Sequence, residues 1–267
     1  MPRWIIGTIS AFVVLGLLGV AAWRGYHWLR EQSVPAMCYV SVDGQEIPQA
    51  LTEEQAGNAA IIVAVSFQRE LPERAAIVAL ATAWQESSLR NLDYGDADSL
   101  GLFQQRPSQG WGSEDEIMDP WYSAAKFYEE LVKFDGWETT DVNDMAQKVQ
   151  RSAYPEAYRK HEANSRALAG ALRGTRPASL ACTGTKESTL GVSPFVDVVA
   201  AVPGVEVVQD NQTVRITAED STRLWAATHM AMTHTLSAGI HQATVGQWQW
   251  TGQFDSTWNN DGDGEAS

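Results

Sequence analysis

A glutamate at position 86 closes a run of small and apolar residues, ERAAIVALATAWQES, and opens onto a long Gly- and Asp-rich stretch, NLDYGDADSLGLFQQRPSQGWG. At about 100° per helical residue, Ala79 lies nearly on the azimuth of Glu86, and Ala83 and Thr82 are its i−3 and i−4 neighbours. The carboxyl thus follows a stripe of small side chains, against which another element can pack closely. Burial beside apolar groups disfavours the anion and raises a carboxyl pKa. An acid still protonated near neutral pH is what cleavage of a glycosidic bond requires. A carboxylate at the negative end of a helix dipole gains nothing structurally, and fraying at the helix end is its bland alternative. Asp93, Asp96 and Asp98 in the following loop are candidates for a second carboxylate that activates water. Their alternative role is Asp–Gly turn chemistry, which Asn91 and Gly95-Asp96 suit well. Trp111, set between glycines in QGWG, is better placed than Trp121 or Trp137 to stack on a sugar face. Core packing is the default for each of the three.

The pairing of AWQESSL with SLGLFQQRP resembles the soluble lytic transglycosylase and goose-type lysozyme superfamily, whose pattern is a Glu-Ser pair at a helix end followed by a G-L-M-Q-like turn. Glu86-Ser87 supplies the pair, and Gly101-Leu102-Phe103-Gln104 supplies the turn. GDADSLGLFQQRPSQGWG and VQRSAYPEAYRKHE are similar to membrane-anchored lysozyme-like proteins of high-GC Gram-positive bacteria. The resemblance covers residues 51–174. It implies a mainly α, lysozyme-like domain that cleaves the β-1,4 bond between N-acetylmuramic acid and N-acetylglucosamine in peptidoglycan. It makes Glu86 the acid/base and places Gly101, Leu102, Phe103 and Gln104 along the sugar cleft. Tyr154, in SAYP, echoes the tyrosine of the superfamily's Ala-Tyr-Asn-Ala turn and would hydrogen-bond the carboxyl. Pro155 and Glu156 depart from that turn, and Gly95 stands about where a serine is usual. No cofactor is implied. The nucleophile is either water or the sugar's own 6-hydroxyl.

The elements that must hold these residues follow from periodicity and capping. Thr52 to Gln55 reads as a capping box for a helix through EEQAGNAAIIVAVSFQRE. Leu71-Pro72 starts the next helix, the one that ends at Glu86 and Ser87. After the long loop, Asp119-Pro120 caps WYSAAKFYEELVKF, DVNDMAQKVQRSAY forms a fourth helix stopped near Pro155, and EAYRKHEANSRALAGALR runs to Gly174. Long loops inside compact domains are usually functional. Beyond a small-residue linker over 175–192, VEVVQD and TVRITAE form strands around a turn at Asn211-Gln212. A helix near STRLWAATHMAMTHTLSAG and strand material in IHQATVGQWQWTG complete an α+β module over 193–254, followed by an acidic disordered tail over 255–267.

At the N-terminus, Trp4 to Trp23 runs for twenty residues without a charge. At about 1.5 Å per residue it spans roughly 30 Å, a bilayer core. The expectation is a single transmembrane anchor over 4–23, with a cytoplasmic tip over 1–3 and a tether over 24–50; a cleaved signal peptide is the alternative. Cys38 and Cys182 are the only cysteines and bracket nearly everything folded between them. A disulfide between them, and an extracytoplasmic setting for the folded domains, follow from that placement, against two unrelated buried thiols. The net charge of −14 and the lack of any basic run exclude a nucleic-acid partner. His229 and His234 are five apart, off the spacing of paired helical metal ligands, and no metal site is expected. The expected partners are peptidoglycan, as the resemblance implies, and the membrane through one helix, with a cell-wall protein a further candidate through the C-terminal module. The rival reading is a non-catalytic wall-binding or scaffold protein that keeps the lysozyme-like fold.

Overall fold

Strand β1 (Met37–Val42) is the seam of the structure, a computed structural model that describes residues 23–24, 36–42, 45–46, 50–150, 156–184, 191–252 and 257–260. Its far end turns back on β2 (Gln45–Glu46), and Cys38 lies opposite Leu51 of β3 (Leu51–Thr52). Thr52 then caps helix α1 (Glu53–Gln68), accepting from the Gln55 N–H while the Gln55 side chain accepts from the Thr52 N–H. Helix α2 (Glu73–Ser87) follows the Leu71-Pro72 step. Ala75 through Trp84 are all buried, so α2 runs through the middle of the core rather than along its surface.

The long loop is less irregular than its composition predicts. Single-residue β-bridges join Leu92 to Gly101 and Leu100 to Gln105, and one turn of 3-10 helix covers Pro107–Gln109. A short helix α3 (Glu114–Met118) carries its own capping box, Ser113 with Glu116. Asp119 caps α4 (Pro120–Leu131) through the Trp121 N–H, and α5 (Val142–Gln150) follows. The expected fifth helix is shorter than its apolar pattern. Residues 156–158 form a turn, Arg159–His161 a 3-10 turn, and α6 covers Glu162–Leu172.

Strand β4 (Leu180–Cys182) returns to pair antiparallel with β1, placing Cys182 directly opposite Cys38, and the two form a disulfide. Helix α7 (Val196–Ala200) leads to the hairpin β5 (Val205–Asp210) and β6 (Thr213–Ala218). Helix α8 (Ser221–Met232) breaks at Thr233-His234 before the short α9 (Thr235–Ala238). The hairpin β7 (Gln242–Val245) and β8 (Trp248–Thr251) is joined by β9 (Asn259–Asn260).

The expected fold class, a transmembrane helix, a mainly α domain and a separate small α+β module, is corrected by this arrangement. Strands from the expected tether and linker, β1 and β4, pair with each other and are sealed by the disulfide. Helix α8 packs on α6 and β4, and one hydrophobic core runs from Cys38 to Trp258. Residues Ala36–Ser267 therefore form one α+β unit. The physical reason is that α1 and α6 each keep a further buried face: β1, β3 and α7 pack on α1, while β1, β4 and α8 pack on α6. Among the described residues no helix is long and apolar enough to cross a membrane. The expected anchor over 4–23 lies outside the described residues except for Trp23.

Candidate active site

Glu86 sits in the last turn of α2, whose end is closed by two consecutive non-glycine residues in the left-handed region, Ser88 (φ 55°) and Leu89 (φ 60°). Such residues cost about 1–2 kcal/mol each and persist only where their surroundings enforce them. The enforcement comes from α1. The Gln55 amide donates to the Ser88 carbonyl at 2.8 Å, and the Asn58 amide donates to the Leu89 carbonyl at 2.8 Å. The chain turns sharply away and leaves Glu86 half-buried at the helix end.

Ser87 fixes the loop to the helix. Its buried hydroxyl lies 3.0 Å from the Ala83 carbonyl and 2.8 Å from the Leu102 carbonyl. Leu102 and Phe103 then drive into the core, fully buried, with Phe103 stacked on Phe127 at 4.7 Å between centroids. These two residues, expected to line the sugar cleft, anchor the turn from below instead. Gly101 has φ +75°, and a Cβ there would stand 2.7 Å from the Ile117 carbonyl, so the turn needs glycine. Gln104, also left-handed (φ 48°), donates its amide to the Tyr94 and Gly101 carbonyls at 3.3 Å each. A Cβ on Gly95 would fall 2.0 Å from Gln104 Oε1. The glycine that departs from the superfamily pattern is thus the space into which the Gln104 amide packs.

On its other side the Glu86 carboxyl meets Tyr158, whose hydroxyl donates to Oε1 at 2.6 Å. The Gln150 side chain, which donates to the Phe103 carbonyl at 2.7 Å, also hydrogen-bonds this carboxyl. Burial raises the Glu86 pKa above the ordinary carboxylate range, and the Tyr158 and Gln150 hydrogen bonds offset part of that rise by favouring the anion. Three residues along, His161 places its ring parallel to Trp84 at 6.1 Å and its Nε2 at 3.2 Å from Gln85 Oε1. Burial and the neighbouring Lys160 push the His161 pKa down to about 4. One turn, Tyr158 to His161, therefore contacts Trp84, Gln85 and Glu86 in succession.

The remaining expected residues are more scattered. Tyr154 lies outside the described residues. Tyr158, Gln150 and His161 had not been expected at the site. The second tyrosine of AYPEAYRKH, four residues after the first, was the available signal for Tyr158. Asp98 braces the loop, accepting from Arg106 Nε at 2.7 Å and from the Ser108 N–H at 2.8 Å, and these contacts hold its carboxyl well below the usual range. Asp93 and Asp96 are exposed, and the Glu86 carboxyl is hydrogen-bonded by a phenol and an amide. Trp111 is half-buried against the core, its carbonyl 3.3 Å from the Tyr122 hydroxyl, and Trp137 is buried. Among the described residues no cluster of His, Cys, Asp and Glu could hold a metal ion. In comparisons with known proteins, no family model and no curated protein sequence matches this chain.

Proposed function

We propose that the chain cleaves the glycan strands of peptidoglycan at the β-1,4 bond between N-acetylmuramic acid and N-acetylglucosamine, with Glu86 as the general acid. The observation that carries this reading is the Glu86 carboxyl itself, half-buried at a helix end, raised in pKa by burial and oriented by two neutral donors. The Glu-Ser pair and the Gly101–Gln104 turn, which resemble the lytic transglycosylase and goose-type lysozyme pattern, supply the substrate class. Glu86 gives its proton to the bridging oxygen as the bond from the anomeric carbon breaks. The resulting carboxylate then takes a proton from the nucleophile. Water as nucleophile yields a reducing end; the sugar's own 6-hydroxyl yields a 1,6-anhydro ring and consumes no water. The disulfide supports a setting outside the reducing cytosol.

The test is mass spectrometry of soluble fragments released from purified peptidoglycan sacculi by the full chain and by its Glu86→Gln variant. Wild type is expected to release muropeptides, and the variant to lose about 10²–10⁴ of the rate, as removal of a general acid does. No release by wild type, or equal release by both, refutes the reading. Reducing against anhydro ends assigns the nucleophile.

A further inference from the structure

A cleft of about 530 Å³ opens between the α1–α2 turn, the end of α6 and the start of α8. None of Glu86, Gln150, Tyr158 or the Gly101–Gln104 turn lines it. Its size falls within the roughly 300–1,000 Å³ usual for small-ligand sites. Apolar wall comes from Phe67, Leu71 and Pro203, and the charge on that wall is Arg173.

Arg173 is held in a fixed orientation. Its guanidinium lies over the Phe67 ring, 4.2 Å from the centroid, and Nη1 donates to the hydroxyl of buried Ser66 at 2.8 Å. The side chain is half-buried, and among the described residues no carboxylate comes within 4.0 Å of it. Burial works against its charge. The negative end of the α6 dipole, the Tyr128 phenol and the Glu73 carboxylate offset part of that cost, and among the described residues the guanidinium's hydrogen bond is the one to Ser66. Arg223, the other arginine of the cleft, is already paired with Glu219 and lies 3.6 Å from Asp220. A planar guanidinium stacked on a ring at the wall of a cleft matches a carboxylate in shape and charge. A dianion is disfavoured, because Glu70 and Asp220 line the same cleft and the chain carries a net charge of −14.

We propose that this cleft binds a small monocarboxylate with an apolar body, of the kind offered by the C-terminus of a short peptide. Arg173 takes the carboxylate, and the Leu71 and Pro203 walls cover the adjoining side chain. The site is independent of Glu86 and its chemistry, so its test reads binding alone.

The probes are N-acetyl-alanyl-alanine, the same peptide with a C-terminal amide, and inorganic phosphate, each titrated into the full chain by calorimetry. The acid is expected to bind with a Kd of about 1 mM or tighter, and the amide and phosphate at least about tenfold more weakly. Arg173→Lys keeps the charge but loses the fork, and is expected to weaken the acid about tenfold. Thr222→Glu keeps the test valid if Arg173 variants misfold. Thr222 is exposed in the first turn of α8, where a glutamate favours the helix, yet it lines the cleft and would place a repelling carboxylate there. That variant should keep or raise Tm while losing the acid. Equal binding of acid and amide, phosphate bound as tightly as the acid, no binding of the acid at about 10 mM, or wild-type binding by Thr222→Glu would each overturn the proposal.

Discussion

Replacing Tyr158 by Phe removes one oxygen and little else, and the consequence for Glu86 can be worked through. The phenol donates to Glu86 Oε1 at 2.6 Å and so stabilises the anion against burial, the larger influence that raises the pKa. A hydrogen bond to a charged group is worth about 1.5–3 kcal/mol in a buried setting. Glu86 is only half-buried, so solvent screening brings the expected loss to roughly 1 kcal/mol. At about 1.4 kcal/mol per tenfold, that is roughly a fivefold gain in proton affinity. The Glu86 pKa therefore moves further up in Tyr158→Phe. Its direct measure is a ¹³C NMR titration of the glutamate side-chain carboxyls, with the Glu86 signal assigned by its absence in Glu86→Gln. If Glu86 is the general acid, activity falls as pH rises through its pKa, so the alkaline limb of the pH–rate profile moves to higher pH in the same variant. An unmoved or lowered Glu86 pKa in Tyr158→Phe would show that this hydrogen bond does not set the carboxyl, and the account of the site would fail at its centre.

Gly95→Ser restores the residue type usual in the resembling superfamily, yet it should lower activity. Its Cβ would meet Gln104 Oε1 and, at 2.6 Å, the Ser99 carbonyl, costing about 1–3 kcal/mol of stability; urea unfolding with activity at wild-type levels would contradict this. The Cys38–Cys182 disulfide closes a separation of 144 residues, which loop-closure entropy values at about 4–5 kcal/mol. Cys38→Ser with Cys182→Ser should lose most of that in urea denaturation, and a loss below about 1 kcal/mol would place the stabilisation elsewhere. His229 is fully buried, its Nδ1 2.7 Å from the Ala171 carbonyl, and burial pushes its pKa down to about 4. The unfolded chain then binds more protons than the folded one below about pH 6.5, so stability present above that pH is lost as pH falls toward 4, by up to about 3 kcal/mol. Thermal unfolding of wild type and His229→Gln between about pH 6.5 and 5, above the range of most carboxylates, should show a steeper pH slope for wild type; parallel slopes would refute it.

The parts of this structure legible in the sequence are those with local causes. The Thr52–Gln55 capping box, the helix ending at Glu86, the Asp119 cap and the β5–β6 hairpin each follow from a few neighbouring residues. The raised pKa of Glu86 was legible too, because it rests on burial at the end of an apolar helix. What was not legible depends on long-range pairing. β1 and β4 are short, lie in segments that read as tether and linker, and become strands only because each completes the other. Leu102 and Phe103 could be placed in a turn by motif but not assigned a direction, and their side chains go into the core. The double left-handed end of α2 at Ser88 and Leu89 has no sequence signature, since its stabilising donors, Gln55 and Asn58, lie more than thirty residues away.

These long-range contacts explain why the carboxyl is a property of the assembly rather than of its helix. An isolated α2 would leave Glu86 in water, with the ordinary carboxylate pKa of about 4.3. The loop contributes burial, but only because the Ser87 hydroxyl reaches the Leu102 carbonyl and Phe103 is locked beneath it. The Tyr158–His161 turn contributes the opposing hydrogen bond, and Gln150 joins the two sides by bonding both the Phe103 carbonyl and the carboxyl. Burial and hydrogen bonding pull the pKa in opposite directions, and both partners come from outside the helix. A small displacement of either the loop or the turn changes the balance without moving Glu86 itself. If the chain cleaves glycans as proposed, a sugar covering the carboxyl would exclude water from it, which strengthens the contribution from burial and favours the protonated acid.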